Sequence, residues 1–259
     1  MVLGFIGAGN MGGAYIKALN NEVYFYEKNK ERAKEIENES KALSLDNLKT
    51  LIEKSDVIFI AVKPQILENV LKEVKDYDYK NKIFVTLVAG IKMGFYEKIL
   101  GTIKLVRVMP NTPVQVKAGV AGVTFKGLSE EERFYVKSVL ESCGVVIEVE
   151  EDKLDVITAL SGSGPAYVFL LINALADGGV KLGLTKKDSL EIVAQTFLGS
   201  AKMFLETGIH PEILKDMVTS PGGTTAEGLA KMEELGIRSA MIETAKSTYN
   251  KAKELGRKE

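Results

Sequence analysis

The segment Gly7-Ala8-Gly9-Asn10-Met11-Gly12 constrains this chain more than any other feature. It follows directly on the apolar run 3–6 and opens a stretch of helical spacing over 11–19. A lone G-x-G-x-x-G is weak evidence, but in the first strand-to-helix turn each glycine has a physical task. Gly7 allows the tight turn, Gly9 lets the backbone approach a pyrophosphate, and Gly12 lets helix and strand pack closely. Amides at the helix N-terminus, with the helix dipole, then favour anionic phosphates. The turn is expected to hold a dinucleotide.

The surrounding pattern agrees. Short runs rich in Val, Ile, Phe and Tyr recur at 23–26, 57–62, 83–87 and 105–109, separated by helical spacing at 30–39, 47–54, 65–74 and 94–100. Continuous apolar runs of this length suit strands buried on both faces of a parallel sheet. A strand at 120–125, a helix at 130–142 capped by Ser129, and a strand at 145–149 close this half. Beyond Glu150 no strand pattern returns, and helices are expected at 165–181, 186–206, 211–218, 225–235 and 239–255. The fold class is therefore α/β: an N-terminal Rossmann-type dinucleotide-binding domain, residues 1–150, followed by an all-α domain, residues 151–259.

Composition narrows the function. Basic residues number 34 and acidic residues 35, so the formal net charge of −1 gives no whole-chain reason to bind nucleic acid or an anionic membrane. Cys143 is the sole cysteine and His210 the sole histidine, which excludes an intrachain disulfide and a Cys-rich zinc site. No basic n-region precedes the first glycines, so no signal peptide is expected. The longest apolar stretch, 165–176, is interrupted by Asn173 and falls short of the roughly 20 residues of a membrane span. A cytoplasmic protein with a small-molecule substrate, and no metal, nucleic-acid or membrane partner, is the expectation.

Other motifs end the later strands, where an open α/β sheet forms its ligand crevice. They are Ala61-Val62-Lys63-Pro64, Val88-Ala89-Gly90 and Met109-Pro110-Asn111-Thr112-Pro113. Lys63 is placed to meet a ribose or phosphate, and the Asn111 amide to meet a nicotinamide carboxamide. Glu27, 20 residues beyond Gly7, suits a ribose 2′-hydroxyl, whereas Lys28, Lys30 and Arg32 suit a 2′-phosphate. The residues leave NADP and NAD both open. In the helical half, Ser220-Pro221-Gly222-Gly223-Thr224-Thr225 runs into a helix and offers backbone amides and hydroxyls to a carboxylate. An interhelical loop with a Thr cap has the same appearance.

Taken in order, Gly-Ala-Gly-Asn-Met-Gly, Ala-Val-Lys-Pro-Gln, Met-Pro-Asn-Thr-Pro, Leu160-Ser-Gly-Ser-Gly-Pro-Ala-Tyr167 and Thr219-Ser-Pro-Gly-Gly-Thr-Thr-Ala-Glu-Gly-Leu229 resemble the Δ1-pyrroline-5-carboxylate reductases. The resemblance spans residues 1 to about 250 and implies NAD(P)H-dependent reduction of the cyclic imine to L-proline. It implies a C-terminal helical domain that serves dimerisation and substrate binding. It places pyrophosphate contacts on Ile6, Gly7, Ala8, Gly9, Asn10 and Met11, and an adenosine-ribose contact on Asn47 after a one-residue gap. Nicotinamide-side contacts fall on Ala61, Val62, Lys63 and Pro64, with Ala89 and Gly90 nearby. Ser220, Gly223 and Thr224 would anchor the substrate carboxylate, and Thr225 would face the ring nitrogen as the catalytic residue.

An imine makes modest demands on the protein, because its nitrogen is readily protonated and orientation is the main task. His210 lies outside every motif and reads as a helix-entry residue. Hydroxyacid dehydrogenases of similar architecture are disfavoured because the helix after Gly164 carries no lysine in its first turns. Two alternatives stay in play: a reductase of a related cyclic imino acid of the pyrroline-2-carboxylate type, and a dinucleotide-sensing module without chemistry. Finally, 167–172 is apolar around a whole helical turn, and 192–194, 197–198 and 203–205 continue the pattern. A helix apolar on all sides must be buried on all sides, so a homodimer through the helical half is expected, with higher assembly open.

Overall fold

The computed structural model describes residues 1–256. Its first half alternates strand and helix: β1 (Leu3–Ile6), α1 (Asn10–Ala18), β2 (Val23–Tyr26), α2 (Lys30–Glu39), β3 (Leu43–Ser44), α3 (Leu48–Lys54), β4 (Val57–Ile60), α4 (Pro64–Val74), β5 (Ile83–Thr86), α5 (Met93–Leu100) and β6 (Lys104–Met109). A 3₁₀ turn (Thr112–Val116) leads to β7 (Gly119–Lys126), α6 (Glu130–Glu141) and β8 (Gly144–Glu148). The eight strands form one sheet in the order β3-β2-β1-β4-β5-β6-β7-β8, parallel except where β7 runs against β6. The order reverses at β1, which pairs with both β2 and β4. Ligand crevices open outside the carboxyl ends of strands at such a switch point.

Alternate residues of the central strands feed two cores, one on each face. Phe5, Phe59 and Val85 lie in one core, Ile6, Ile60 and Phe84 in the other. The rings of Phe5 and Phe59 stack 4.4 Å apart across the β1–β4 pair. Both faces are buried, as continuous apolar runs require. Two-residue β3 was not anticipated; it is too short to show a period. Cys143 is buried, and burial pushes its thiol up despite a bond with Ser142 and the nearby Lys117, so it acts as a small core hydrophobe.

Strand gives way to helix at Glu151. Instead of a loop before a helix, a 3₁₀ turn (Glu151–Lys153), α7 (Leu154–Ile157), a π turn (Thr158–Gly162) and α8 (Gly164–Lys181) follow in unbroken succession. The Ser163 amide reaches back five residues to the Thr158 carbonyl at 2.9 Å. The wide turn fits its neighbours: a Cβ on Gly162 would stand 2.4 Å from Met109 Cε. This 31-residue run is longer than the apolar stretch read from the sequence, and by length and composition alone it is apolar enough to cross a membrane. Then come α9 (Lys186–Thr207), α10 (Pro211–Met217), α11 (Thr224–Glu234) and α12 (Ile237–Leu255).

The chain divides into two compact units, Met1–Ser163 with the residues from Thr248 onward, and Gly164–Ser247. In the second, α8 packs on α9 where Gly179 meets Ser189, and Ala176, Ser189 and Val193 are buried. Many of its large apolar side chains are exposed in the single chain, Phe169 to 65%, Leu170 to 67% and Leu198 to 61%, while others such as Leu171, Ile172 and Phe197 are half-buried.

Candidate active site

The glycine turn leaves β1 at Gly7, whose φ of +93° lies in the left-handed region. A Cβ there would stand 2.7 Å from the Ala61 carbonyl oxygen, and one on Gly12 would stand 2.4 Å from the Gly7 carbonyl oxygen. Those two glycines serve close packing between β1, α1 and the end of β4. Gly9 differs: nothing lies within 4 Å of a Cβ built on it. Its outer face is open, and as N-cap of α1 it makes no side-chain capping bond, which leaves the first amides of the helix for a ligand. This cradle fits a pyrophosphate.

A cavity of about 540 Å³ opens beside the turn, walled by Ile6, Gly7, Gly9, Asn10, Ala61, Val62 and Lys63 among the expected residues. Lys63 is the N-cap of α4, and Pro64 follows as its first residue. Ala8 and Met11 adjoin this wall without forming it: Ala8 is fully buried and Met11 packs against the core. Asn47 caps α3, its Oδ1 accepting from the Thr50 amide at 2.8 Å, while its neighbour Leu48 lines the cavity. Ala89 and Gly90 follow β5, with Gly90 at φ +83°.

The cavity also takes in residues that sequence reasoning missed. Ile66, Val70 and Glu73 come from one face of α4, and Tyr26 from the end of β2. For the three on α4 the signal was the helical spacing behind Lys63, a strand-end residue already picked out.

At the end of β2 the carboxylate of Glu27 is engaged by backbone. Oε2 accepts from the Ala8 amide and Oε1 from the Asn29 amide, both at 2.9 Å. Arg32 Nε donates to the Ala8 carbonyl at 2.8 Å, and its Nη1 pairs with Glu35 at 2.6 Å. Glu27 and Arg32 thus brace the glycine turn, and with Lys28 and Asn29 they line the cavity.

The Asn111 side chain is held by two partners within the protein. Its Nδ2 donates to Ser161 Oγ at 3.0 Å and its Oδ1 accepts from the Val120 amide at 2.8 Å, so it joins two of the sequence motifs as a buried strut. His210 is the N-cap of α10, Nδ1 accepting from the Glu212 amide at 3.3 Å, the helix-entry role read from Pro211.

In the second unit, Gly222 at φ +67° lets the Gly223 amide close back on the Ser220 carbonyl at 3.0 Å. Gly223 is the N-cap of α11, with no side-chain capping bond. A Cβ on Gly223 would stand 2.3 Å from Ser220 Oγ. A Thr cap was the competing reading, and here glycine takes that place. Thr224 and Thr225 are the first two residues of the helix, with Ser220 just before the turn. Amides and hydroxyls gathered at a positive helix end suit a carboxylate.

Residues 151–255 match the family model described as pyrroline-5-carboxylate reductase dimerisation, and residues 2–90 match NADP oxidoreductase coenzyme F420-dependent. The pyrroline-5-carboxylate reductase of Aquifex aeolicus is 41% identical over 98% of this chain and 97% of its own. That of Methanosarcina acetivorans is 39% identical over 99% of this chain and 98% of its own. The chain belongs to the pyrroline-5-carboxylate reductase family. A solved family structure from Coxiella burnetii matches with a TM-score of 0.91 at 33% identity, covering 98% of this chain and 97% of that one. The Plasmodium falciparum pyrroline carboxylate reductase with NADP bound matches at 0.87 and 33% identity, covering 99% and 98%.

Proposed function

We propose that this protein reduces Δ1-pyrroline-5-carboxylate to L-proline with NADPH, NADH being the alternative coenzyme, as the last step of proline biosynthesis. The observation that carries the reading is the open face of Gly9 at the β1–β4 switch point, in a chain that matches these reductases over nearly its full length. NADPH is favoured by Lys28 and Arg32 in the cavity wall and by the engagement of both Glu27 oxygens with backbone amides. The Plasmodium relative, with NADP bound, supports the same choice.

When bound, the reduced nicotinamide supplies the hydride that the C=N carbon accepts. Amides at the start of α1 would hold the pyrophosphate, and Lys63, Ala89 and Gly90 would border the nicotinamide side. Ser220, Gly223 and Thr224 anchor the substrate carboxylate, which fixes the ring's orientation. The Thr225 hydroxyl hydrogen-bonds the ring nitrogen, holding the proton there while the carbon is reduced. No strong base is required. Residues 1–150 serve the dinucleotide and residues 151–259 serve dimerisation and substrate, in a cytoplasmic homodimer whose substrate loop lies near the partner chain. Burial in that dimer accounts for the apolar run 151–181 without a membrane.

Initial rates with pyrroline-5-carboxylate and pyrroline-2-carboxylate, each with NADPH and NADH, test the reading. Turnover of the 2-carboxylate alone moves the assignment to the sibling reductase, and no turnover with either leaves a sensor. Thr225→Ala removes one oriented hydrogen bond, worth about 1–3 kcal/mol in a dry site. The expected result is a rate loss of roughly tenfold to a hundredfold with coenzyme affinity little changed, and better activity for Thr225→Ser. An alanine variant as fast as the parent would reduce Thr225 to a helix-start residue.

A further inference from the structure

The loop between β5 and α5 carries Ala89 and Gly90, and a different device holds each of its ends. At the first, Thr86 Oγ1 and the Tyr96 hydroxyl lie 2.5 Å apart, and the Val88 amide donates to Thr86 Oγ1 at 3.2 Å. At the second, Met93 begins α5 behind Lys92, whose side chain makes no capping bond. The cap comes from far along the chain: Glu151 Oε1 accepts from the Met93 amide at 2.7 Å. The same oxygen accepts from Arg107 Nη1 at 2.8 Å.

Arg107 lies within β6, opposite Thr86 of β5 and Thr124 of β7, and is only 6% exposed. A guanidinium so deeply placed requires a carboxylate partner. A carboxylate at a helix N-terminus is favoured by the dipole as well. One oxygen of Glu151 therefore ties together a central strand, the start of α5 and the head of the helical run.

We propose that Glu151 is a positioning residue for the nicotinamide half of the coenzyme, acting through the 88–92 loop. The proposal rests on the reading above that Ala89 and Gly90 border that ring. Glu151 acts through Met93: it holds the Met93 amide, and Met93 fixes where the loop ends. The adenosine half, served by the glycine turn and by residues 27–32, does not depend on this contact. Loss of Glu151 thus discriminates between ligands that carry a nicotinamide and those that do not, which a general loss of stability would not do.

The test is calorimetric titration of the parent and of Glu151→Ala with NADPH and with 2′-phospho-ADP-ribose. Losing the contact that fixes one end of the loop is expected to lower NADPH affinity roughly tenfold to a hundredfold while that for the fragment is unchanged. Equal weakening of both ligands, or unchanged NADPH affinity, overturns the proposal. Where alanine at 151 leaves no folded protein, Glu151→Gln is read by the same comparison: it keeps the shape but strips Arg107 of its counter-charge. A smaller but equally selective loss is expected from it, and no selectivity overturns the proposal. Binding of the fragment by the parent tests the coenzyme reading on its own.

Discussion

A Gly9→Val variant is expected to fold as the parent does and to lose coenzyme affinity by at least about a hundredfold, equivalent to about 3 kcal/mol. The expectation follows from two facts. Apart from its own chain neighbours, nothing lies within 4 Å of a Cβ at this position, so a side chain leaves the backbone here into open space. The same open space is where a pyrophosphate must approach the first amides of α1, and a branched side chain fills it. Gly12→Ala provides the contrast. Its Cβ would stand 2.4 Å from the Gly7 carbonyl oxygen and 2.8 Å from Ala61 Cβ, so the helix must shift. Overpacking of that kind costs about 1–3 kcal/mol, seen as a lowered melting temperature. Thermal unfolding with a fluorescence titration of NADPH separates the two glycines. Parent-like coenzyme affinity in folded Gly9→Val would remove the turn from the phosphate site.

The second large effect concerns assembly. Phe169 and Leu170 are 65% and 67% exposed in the single chain, on a helix whose neighbours along the sequence are also apolar. Residues 151–255 match a dimerisation domain, so these side chains are expected to be covered by a second copy. Phe169→Asp would place an unpaired charge in that interface, and removing the partner of a buried charge costs about 3–5 kcal/mol. Insoluble or inactive protein is the expected result, read by sedimentation equilibrium alongside the rate assay. A fully active monomer at assay concentration would refute the dimer.

Much of this molecule was legible in its sequence because the relevant properties are local. Leu3–Ile6, Val57–Ile60 and Ile83–Thr86 are buried on both faces and read as continuous apolar runs, so parallel strands follow from residue type alone. The glycine turn sits between a strand and a helix, and chain order alone places it at the crevice. Ser129 and Glu132 form a capping box within one turn, visible as a spacing. The stretch 167–172 of α8, apolar around a whole turn, likewise pointed to a partner. Local periodicity, turn chemistry and surface composition need no knowledge of the chain's path.

What only the tertiary structure decided is which polar group meets which. Asn111 looked free for a ligand, yet Ser161 and the Val120 amide take both ends of its side chain. Glu27 looked free for a ribose, yet it accepts from Ala8 and Asn29. Glu151 attracted no notice as one of several acidic residues near a boundary, and it proves to hold Arg107 and Met93, 44 and 58 positions away in the chain. The antiparallel β7 and the π turn at Thr158–Gly162 were hidden for the same reason. A side chain's hydrogen-bonding capacity is a property of the residue, but the partner that satisfies it is set by long-range strand pairing and packing, which no local spacing records.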